Sequence, residues 1–365
     1  LASFRLERKQ PETGGPTRRI AVVIPARNES LLISDTVSNI LQQKYPRESF
    51  MVLVIADNCS DDTAEMAREN GARVIERSDS PGKGQAIHEA LELLLSEEWD
   101  AFLMVDADSH LHPDTLASLN RAIAAGGKAV QLRFGVLIPG DSIRTLAMEL
   151  STASFNALRP RGRTILGLSS GIYGNGFCLT REVVRNVPYL THPIVEGIEY
   201  HMLLLKAGYK VTFLDRVWVK AQFPVTAKSS EVQRIRWERG RIVMIRRYAP
   251  ELLRDTLKGR VSALDGLLDV MMPPVSLITL SLLPPLLFGT ALQFHLAVAL
   301  STVLYLHYLI AAWRYGSVTA FLRLTIYVPW YILWKTYVLL RSLITERNLP
   351  WVRTDRHPHS HSKKR

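Results

Sequence analysis

The chain has 365 residues, 47% of them apolar and 22% charged, which is enough to bury one large or two modest domains and too apolar for disorder. Its 21 Gly and 19 Pro are too few for a collagen-like or low-complexity array; its two cysteines, Cys59 and Cys178, exclude a disulfide framework and a four-cysteine zinc site, and fit a reducing, cytosol-facing catalytic part. The net charge of +11 is concentrated: ten basic and four acidic residues at 228–260, with seven and two at 341–365, account for the whole excess.

The chain opens on Leu1 rather than Met, so a further N-terminal segment is expected ahead of it, and residues 1–19 read as a linker. From residue 20 to 110 strands and helices alternate, the pattern of a parallel α/β sheet. Residues 20–24, 51–55 and 101–105 are short β-branched or apolar runs. Residues 30–43, 61–70 and 84–95 have helical spacing, and Gly71 is placed to close the second helix. In such sheets ligands bind at the carboxyl ends of the strands, where three polar clusters follow: Pro25 to Glu29, Asp57 to Asp62, and Asp106-Ala107-Asp108. Each has a plain structural alternative, since Ser60 or Asp61 can cap a helix and Pro25 can end a strand. An Asp-x-Asp triplet arises about once by chance in a chain this rich in Asp, so its position carries the argument. Two carboxylates directly after a buried strand repel each other unless a cation sits between them and an anion. Oxygen ligands select Mg2+ or Mn2+, and a nucleotide diphosphate suits a hard cation held by so few protein groups.

Three apolar stretches follow the first basic block, at 267–292, 295–313 and 317–340, each long enough to approach a bilayer crossing. The middle one is the cleanest, with Trp313, Arg314 and Tyr315 as an interfacial anchor. Pro273, Pro274, Pro284 and Pro285 predict that the first is kinked, broken or re-entrant. Arg323 and Lys335 interrupt the third, which either spans with these near its ends or lies in the interface. The basic blocks flank these stretches without an interleaved aromatic platform, which argues against nucleic acid.

The ordered set VVIPARNE (22–29), VIADNCSDDT (54–63), GKGQA (82–86), FLMVDADS (102–109), GNGFCLTREVV (174–184), EGIEYHMLLLKAGYKV (196–211) and QRIRW (233–237) resembles the inverting family 2 glycosyltransferases. The resemblance is to their membrane-integrated branch, which includes the cellulose, chitin, hyaluronan and poly-N-acetylglucosamine synthases. It implies an α/β fold: a GT-A nucleotide-sugar-binding domain at 20–227, then basic interfacial helices at 228–260 carrying the Gln-x-x-Arg-Trp motif. A transmembrane region at 261–345 and a basic cytoplasmic tail at 346–365 complete the expected organisation. By the same resemblance Asp57 contacts the uridine of a UDP-sugar, Glu29 lies near that nucleoside, and Lys83 and Asp106 lie by the donor. Asp108 is the ligand of Mg2+ or Mn2+, Gln233 and Arg236 hold the pyrophosphate, and Trp237 lines the acceptor site. The implied activity is inverting transfer of a hexose to a lipid or growing polysaccharide, by a multi-pass protein of the inner (plasma) membrane with its catalytic domain cytoplasmic. Of the remaining arginines, Arg239, Arg246 and Arg247 are expected to face solvent or headgroups. His201 is expected to pack or hydrogen-bond rather than bind a ligand.

One position departs from the pattern. Family members carry Glu-Asp where the helix near 196 begins, the Asp being the general base, and here the pair is Glu196-Gly197. Removing a hydroxyl proton during attack needs a carboxylate within hydrogen-bond reach. Either Glu196 takes over from one position away, and is then the catalytic residue, or the chain is an impaired or non-catalytic nucleotide-sugar binder. On the second reading Gly197→Asp restores transfer. Glu199 is about a turn away and too distant to substitute.

Overall fold

A computed structural model describes residues 17–137, 142–191, 196–222 and 227–344, without the side chains of 227–230, 232, 233 and 342–344. The expected tail at 346–365, with its WVRTDR segment and three histidines, and all but the last residues of the expected linker lie outside the described residues.

Strand β1 (Ile20–Ala26) is buried on both faces, as an interior parallel strand must be. Ile20, Val22 and Ile24 face one core with Val52 and Val54, whereas Ala21 and Val23 face another with Leu53 and Ile55, following the two-residue period of a strand. β2 (Phe50–Asp57) and β3 (Arg73–Arg77) lie parallel on one side of β1, and β4 (Ala101–Met104) lies parallel on the other. Beyond them come β5 (Ser109–Leu111), β6 (Ala129–Val136), β7 (Phe177–Thr180) and β8 (Val211–Ala221), giving one mixed sheet ordered β3-β2-β1-β4-β7-β6-β8-β5. β7 runs antiparallel to both β4 and β6, and β6 pairs with β8 in parallel through a register shift at Leu132/Arg133.

Helices α1 (Ile33–Leu41) and α2 (Thr63–Glu69) fall within the predicted segments, and α3 (Lys83–Leu95) begins one residue earlier than predicted. Gly71 adopts φ +88°, and its amide bonds the Arg68 carbonyl at 2.9 Å, closing α2 as expected. α1 and α4 (Thr115–Ala124) supply one core, through Ile33, Val37, Leu116 and Leu119, and α3 supplies the other, through Ile87, Leu91 and Leu94. α5 (Ile143–Ala153) runs through a π-helical turn at Ser154–Leu158 into α6 (Arg159–Ile165). Short α7 (Arg181–Asn186) and then α8 (Glu196–Lys206) follow β7.

The C-terminal part is helical: α9 (Ala227–Leu257), α10 (Val261–Met271), α11 (Val275–Phe288), α12 (Ala291–Tyr315) and α13 (Val318–Ile344). α10 and α11 meet at 78° around Pro273 and Pro274, so the stretch expected to be broken is broken. Among the described residues α12 is long and apolar enough to cross a membrane, and the bent pair passes if counted as one span. α13, interrupted by Arg323 and Lys335, does not pass. Met202 and Leu205 of α8, Met244 and Leu252 of α9 and Val270 of α10 form a third core joining this part to the sheet domain.

Candidate active site

β1, β2 and β4 all end at one edge of the sheet, and the three acidic loops follow them there. Asn28 and Asn58 take the left-handed conformation, at φ +54° and +52°, which their short polar side chains tolerate. The Asn28 side-chain Oδ1 accepts the Ser60 amide at 2.8 Å, and the Glu29 amide donates to Thr63 Oγ at 2.8 Å, knitting the first two loops together. Asp61 accepts the Thr63 amide at 3.2 Å and the Ser30 amide at 3.2 Å, tying the first loop to the start of α2, whose N-cap position is Asp62 and carries no side-chain cap. Glu29 and Asp57 are both buried.

Asp57 is heavily committed. One oxygen accepts Arg77 at 2.5 Å and Asn58 at 3.0 Å, and the other accepts the Gly82 amide at 2.8 Å. Three of about four acceptor positions of its carboxylate are thus filled. Arg77, a residue the sequence reading did not single out, also forks onto Glu89 at 2.6 and 2.8 Å.

Lys83, the first residue of α3, reaches across the edge to form an ion pair with Asp106 and to donate to the Gly174 carbonyl at 2.8 Å. Burial alone would lower its pKa, but the charges of Asp106, Glu196 and Asp108 outweigh burial and raise it, so Lys83 is a fixed cation. The Asp106 loop is braced from behind. Asn175 accepts the Asp106 amide at 3.1 Å and donates to Ser109 Oγ at 2.9 Å, and Ser109 donates to Asp108 at 3.1 Å. Gln131, fully buried, donates to the carbonyls of Asn175 and Gly176 at 2.9 and 3.1 Å and accepts the Tyr173 amide at 3.0 Å. Asn175 lies within the GNGF segment, and a lone Gln in the apolar run AVQLRF was the available signal for Gln131.

Glu196 begins α8 with its Cγ 3.5 Å from the position a Cβ on Gly84 would take. Burial raises its carboxyl pKa, against the opposing pull of Lys83 and Arg236, while Asp106 adds to the rise. The site therefore brings Glu196, Lys83, Asp106 and Arg236 into mutual electrostatic range. Arg236 and Trp237 lie on α9, and Trp237 is 37% exposed, open to a ligand. Gln233 is on the same helix, but its side chain lies outside the described residues.

Gly197 is packed against backbone. A Cβ there would come within 2.8 Å of both the Ile172 carbonyl oxygen and the Gly174 nitrogen, so the start of α8 approaches the 172–174 loop as only Gly permits. Glu199 turns the other way, accepting Tyr248 at 3.3 Å and Arg247 at 3.1 Å, so it is committed to α9. Arg246 and Arg247 are exposed as expected, though Arg247 carries this added ion pair, whereas Arg239 is half-buried and departs from that expectation. His201 is buried between Ser169 Oγ, 2.8 Å from its Nε2, and Asp269, 3.1 Å from its Nδ1, which is the hydrogen-bonding role expected of it. Asp269 also pairs with Arg159.

Among the described residues no three His, Cys, Asp or Glu side chains gather to hold a metal ion. The Asp106 and Asp108 carboxylates therefore fit a hard cation only if other oxygens, such as those of a diphosphate, complete its shell.

This mixed sheet, with acidic loops at the strand ends, is a GT-A fold. The chain shares it with the mannosyltransferase PcManGT of Pyrobaculum calidifontis, solved with GDP-Man and Mn2+, at a TM-score of 0.52 and 20% identity, over 92% of this chain and 90% of that one. Residues 16–240 match the sequence model of the glycosyltransferase-like family 2, and the chain belongs to that family. It is 24% identical over 246 residues to the probable glycosyltransferase YdaM of Bacillus subtilis (strain 168), covering 65% of this chain and 58% of the relative. It is 25% identical over 227 residues to the poly-beta-1,6-N-acetyl-D-glucosamine synthase of Staphylococcus aureus (strain COL), covering 60% and 54%. The chain thus spans a little over half the length of these curated relatives.

Proposed function

We propose that this glycosyltransferase moves a hexose with inversion from a UDP-sugar to a hydroxyl of a lipid or growing polysaccharide at the membrane, with Glu196 as general base. The observation that carries the reading is the Glu196 carboxyl, half-buried within electrostatic range of Lys83, Asp106 and Arg236, with desolvation raising its pKa toward the range where a base is effective. The acceptor oxygen attacks the anomeric carbon from the face opposite the leaving group. Its proton passes to the Glu196 carboxylate as the bond to the diphosphate breaks. Lys83 and Arg236 stabilise the charge that develops on the departing UDP, Gln233 assists Arg236, and Trp237 offers an aromatic face to the acceptor. Asp57 and Glu29 line the nucleoside end. Asp108, with Asp106, would hold Mg2+ or Mn2+, which when bound supplies positive charge to the diphosphate.

The bilayer accounts for the C-terminal helices. Only 17% of the apolar window of α12 is buried, so lipid is its natural cover, and the 78° bend between α10 and α11 favours a re-entrant first segment. With the net positive 228–260 block against anionic headgroups, the catalytic domain lies on the cytoplasmic side of the inner membrane. Purified full-length protein in nanodiscs, screened with UDP-sugars for UDP release and then by mass spectrometry of the product, tests the reading. A glycosylated lipid or polymer made only with divalent cation supports it. UDP binding without turnover would favour the non-catalytic alternative.

A further inference from the structure

A second cleft opens where the far half of β6 meets β8, α5 and the last turn of α12, with Lys220, the last residue but one of β8, opposite His110 of β5. Its polar and aromatic walls are Arg133, Lys220, Trp218, Glu149, Thr152 and Tyr315. Arg133 and Lys220 are brought together by strand register, since Arg133 pairs with Trp218 and Gly135 with Lys220. Each cation lies by an aromatic ring: the Arg133 guanidinium carbon is 5.5 Å from the Tyr315 ring centre, and Lys220 Nζ is 4.8 Å from that of Trp218. The Tyr315 wall is fixed, because its hydroxyl donates to Asp215 at 2.9 Å. Asp215 in turn is paired with Arg161 at 2.6 Å.

The cleft holds two cations and one acid. Neither Arg133 nor Lys220 makes an ion pair among the described residues, and Glu149 attracts Lys220 only at a distance. Lys220 is pushed below the usual lysine value, first by burial and then by the charge of Arg133, while burial raises the Glu149 carboxyl. An anion entering here would relieve the repulsion between two partly desolvated cations, and a guanidinium matches two oxygens of a phosphate at once. The remaining walls, Phe134, Gly135, Val136, Ala153 and Ala157, are apolar, and Ala153 packs with Ala311 of α12. The cleft is thus polar and cationic at one end and continuous with the long apolar helix at the other.

We propose that this cleft binds the phosphate headgroup of an anionic membrane lipid, gripped by Arg133 and Lys220, with its acyl chains lying along α12. The proposal rests on the reading that α12 lies in the bilayer, and it does not depend on the donor chemistry at the acidic loops.

The full chain, purified in neutral detergent, is offered equimolar phosphatidylglycerol and phosphatidylcholine, and the retained lipid is identified by native mass spectrometry. UDP binding is measured on the same samples. Wild type should retain phosphatidylglycerol preferentially, by about fivefold or more. Arg133→Gln and Lys220→Gln should each abolish most of that preference with UDP binding intact, Arg133→Lys should keep part of it, and Glu149→Gln should increase it. Equal retention of the two lipids by wild type, an unaltered preference in Arg133→Gln, or a decrease in Glu149→Gln would overturn the proposal. So would inorganic phosphate alone raising the melting temperature, in an Arg133-dependent manner, as strongly as the lipid does, since that assigns the site to the free anion. Wild type that prefers phosphatidylglycerol yet binds no UDP upholds the lipid site and removes the donor reading instead.

Discussion

Gly197 rests so closely on Gly174 that a Cβ added to it would lie 2.8 Å from the Gly174 nitrogen, and the Gly174 carbonyl is the atom that holds Lys83. Any side chain at 197 therefore displaces the loop that steadies the donor-side cation. Overpacking of this kind costs about 1–3 kcal/mol. Gly197→Ala should lower the melting temperature and reduce transfer. Gly197→Asp should do the same without gain of activity, contrary to the expectation that a carboxylate there restores a lost base. A tenfold rise in product with an unchanged melting curve would instead make Gly197 a lesion and remove Glu196 as the base.

Glu196→Gln should reduce turnover by about 100- to 10,000-fold while UDP affinity changes little, because the base touches the acceptor. A base works deprotonated, so activity should rise with pH through the Glu196 pKa. Burial has raised that pKa, so the acid limb should lie above the ordinary glutamate range. Initial rates across pH check this, and a limb unchanged in the variant would exclude Glu196.

The same raised pKa has a stability consequence. The fold favours protonated Glu196, a contribution complete below the ordinary glutamate value and lost as pH rises through the raised one. Glu196→Gln carries no charge to bury, so its melting temperature should gain on wild type at about pH 8 relative to about pH 4. Melting curves at both values, with the gain larger on the acidic side, would contradict the burial argument.

Asp108→Asn should lower UDP affinity measured in Mn2+ by at least about tenfold, and chelation of the metal should bring wild type down to the same level. Calorimetry with and without chelator decides it. Equal affinities of both proteins in Mn2+ would disprove the assignment.

The parallel half of the sheet was legible because β1, β2 and β4 are uninterrupted apolar runs with helical segments between them. β3 was not, since its RVIER sequence belongs to a sheet edge, where charged side chains are tolerated and the apolar signal fades. Of the site, the residues in ordered motifs could be picked out individually, and Lys83, Asp106, Glu196 and Arg236 do converge. The contacts that brace them could not, because Gln131 grips the Asn175 and Gly176 backbone carbonyls, 44 and 45 residues away, and sequence pattern carries no trace of such a path. The close approach at Gly197 was likewise invisible, since a missing carboxylate and a required glycine look identical as a letter.

Lys335 of α13 donates to Glu238 of α9 at 2.5 Å, both side chains are buried, and 97 residues of chain separate them. Glu238 sits one residue after Trp237, so the motif helix is fastened by the last helix described. Severing such a pair costs about 3–5 kcal/mol, because the surviving charge is left stranded. Assembly of the active site thus has an order: the buried charge on α9 is neutralised only once α13 has been made and has docked. A catalytic fragment cut at residue 260 would carry Glu238 without its cation, so the enzyme should be produced with α13 or with Glu238→Gln in place.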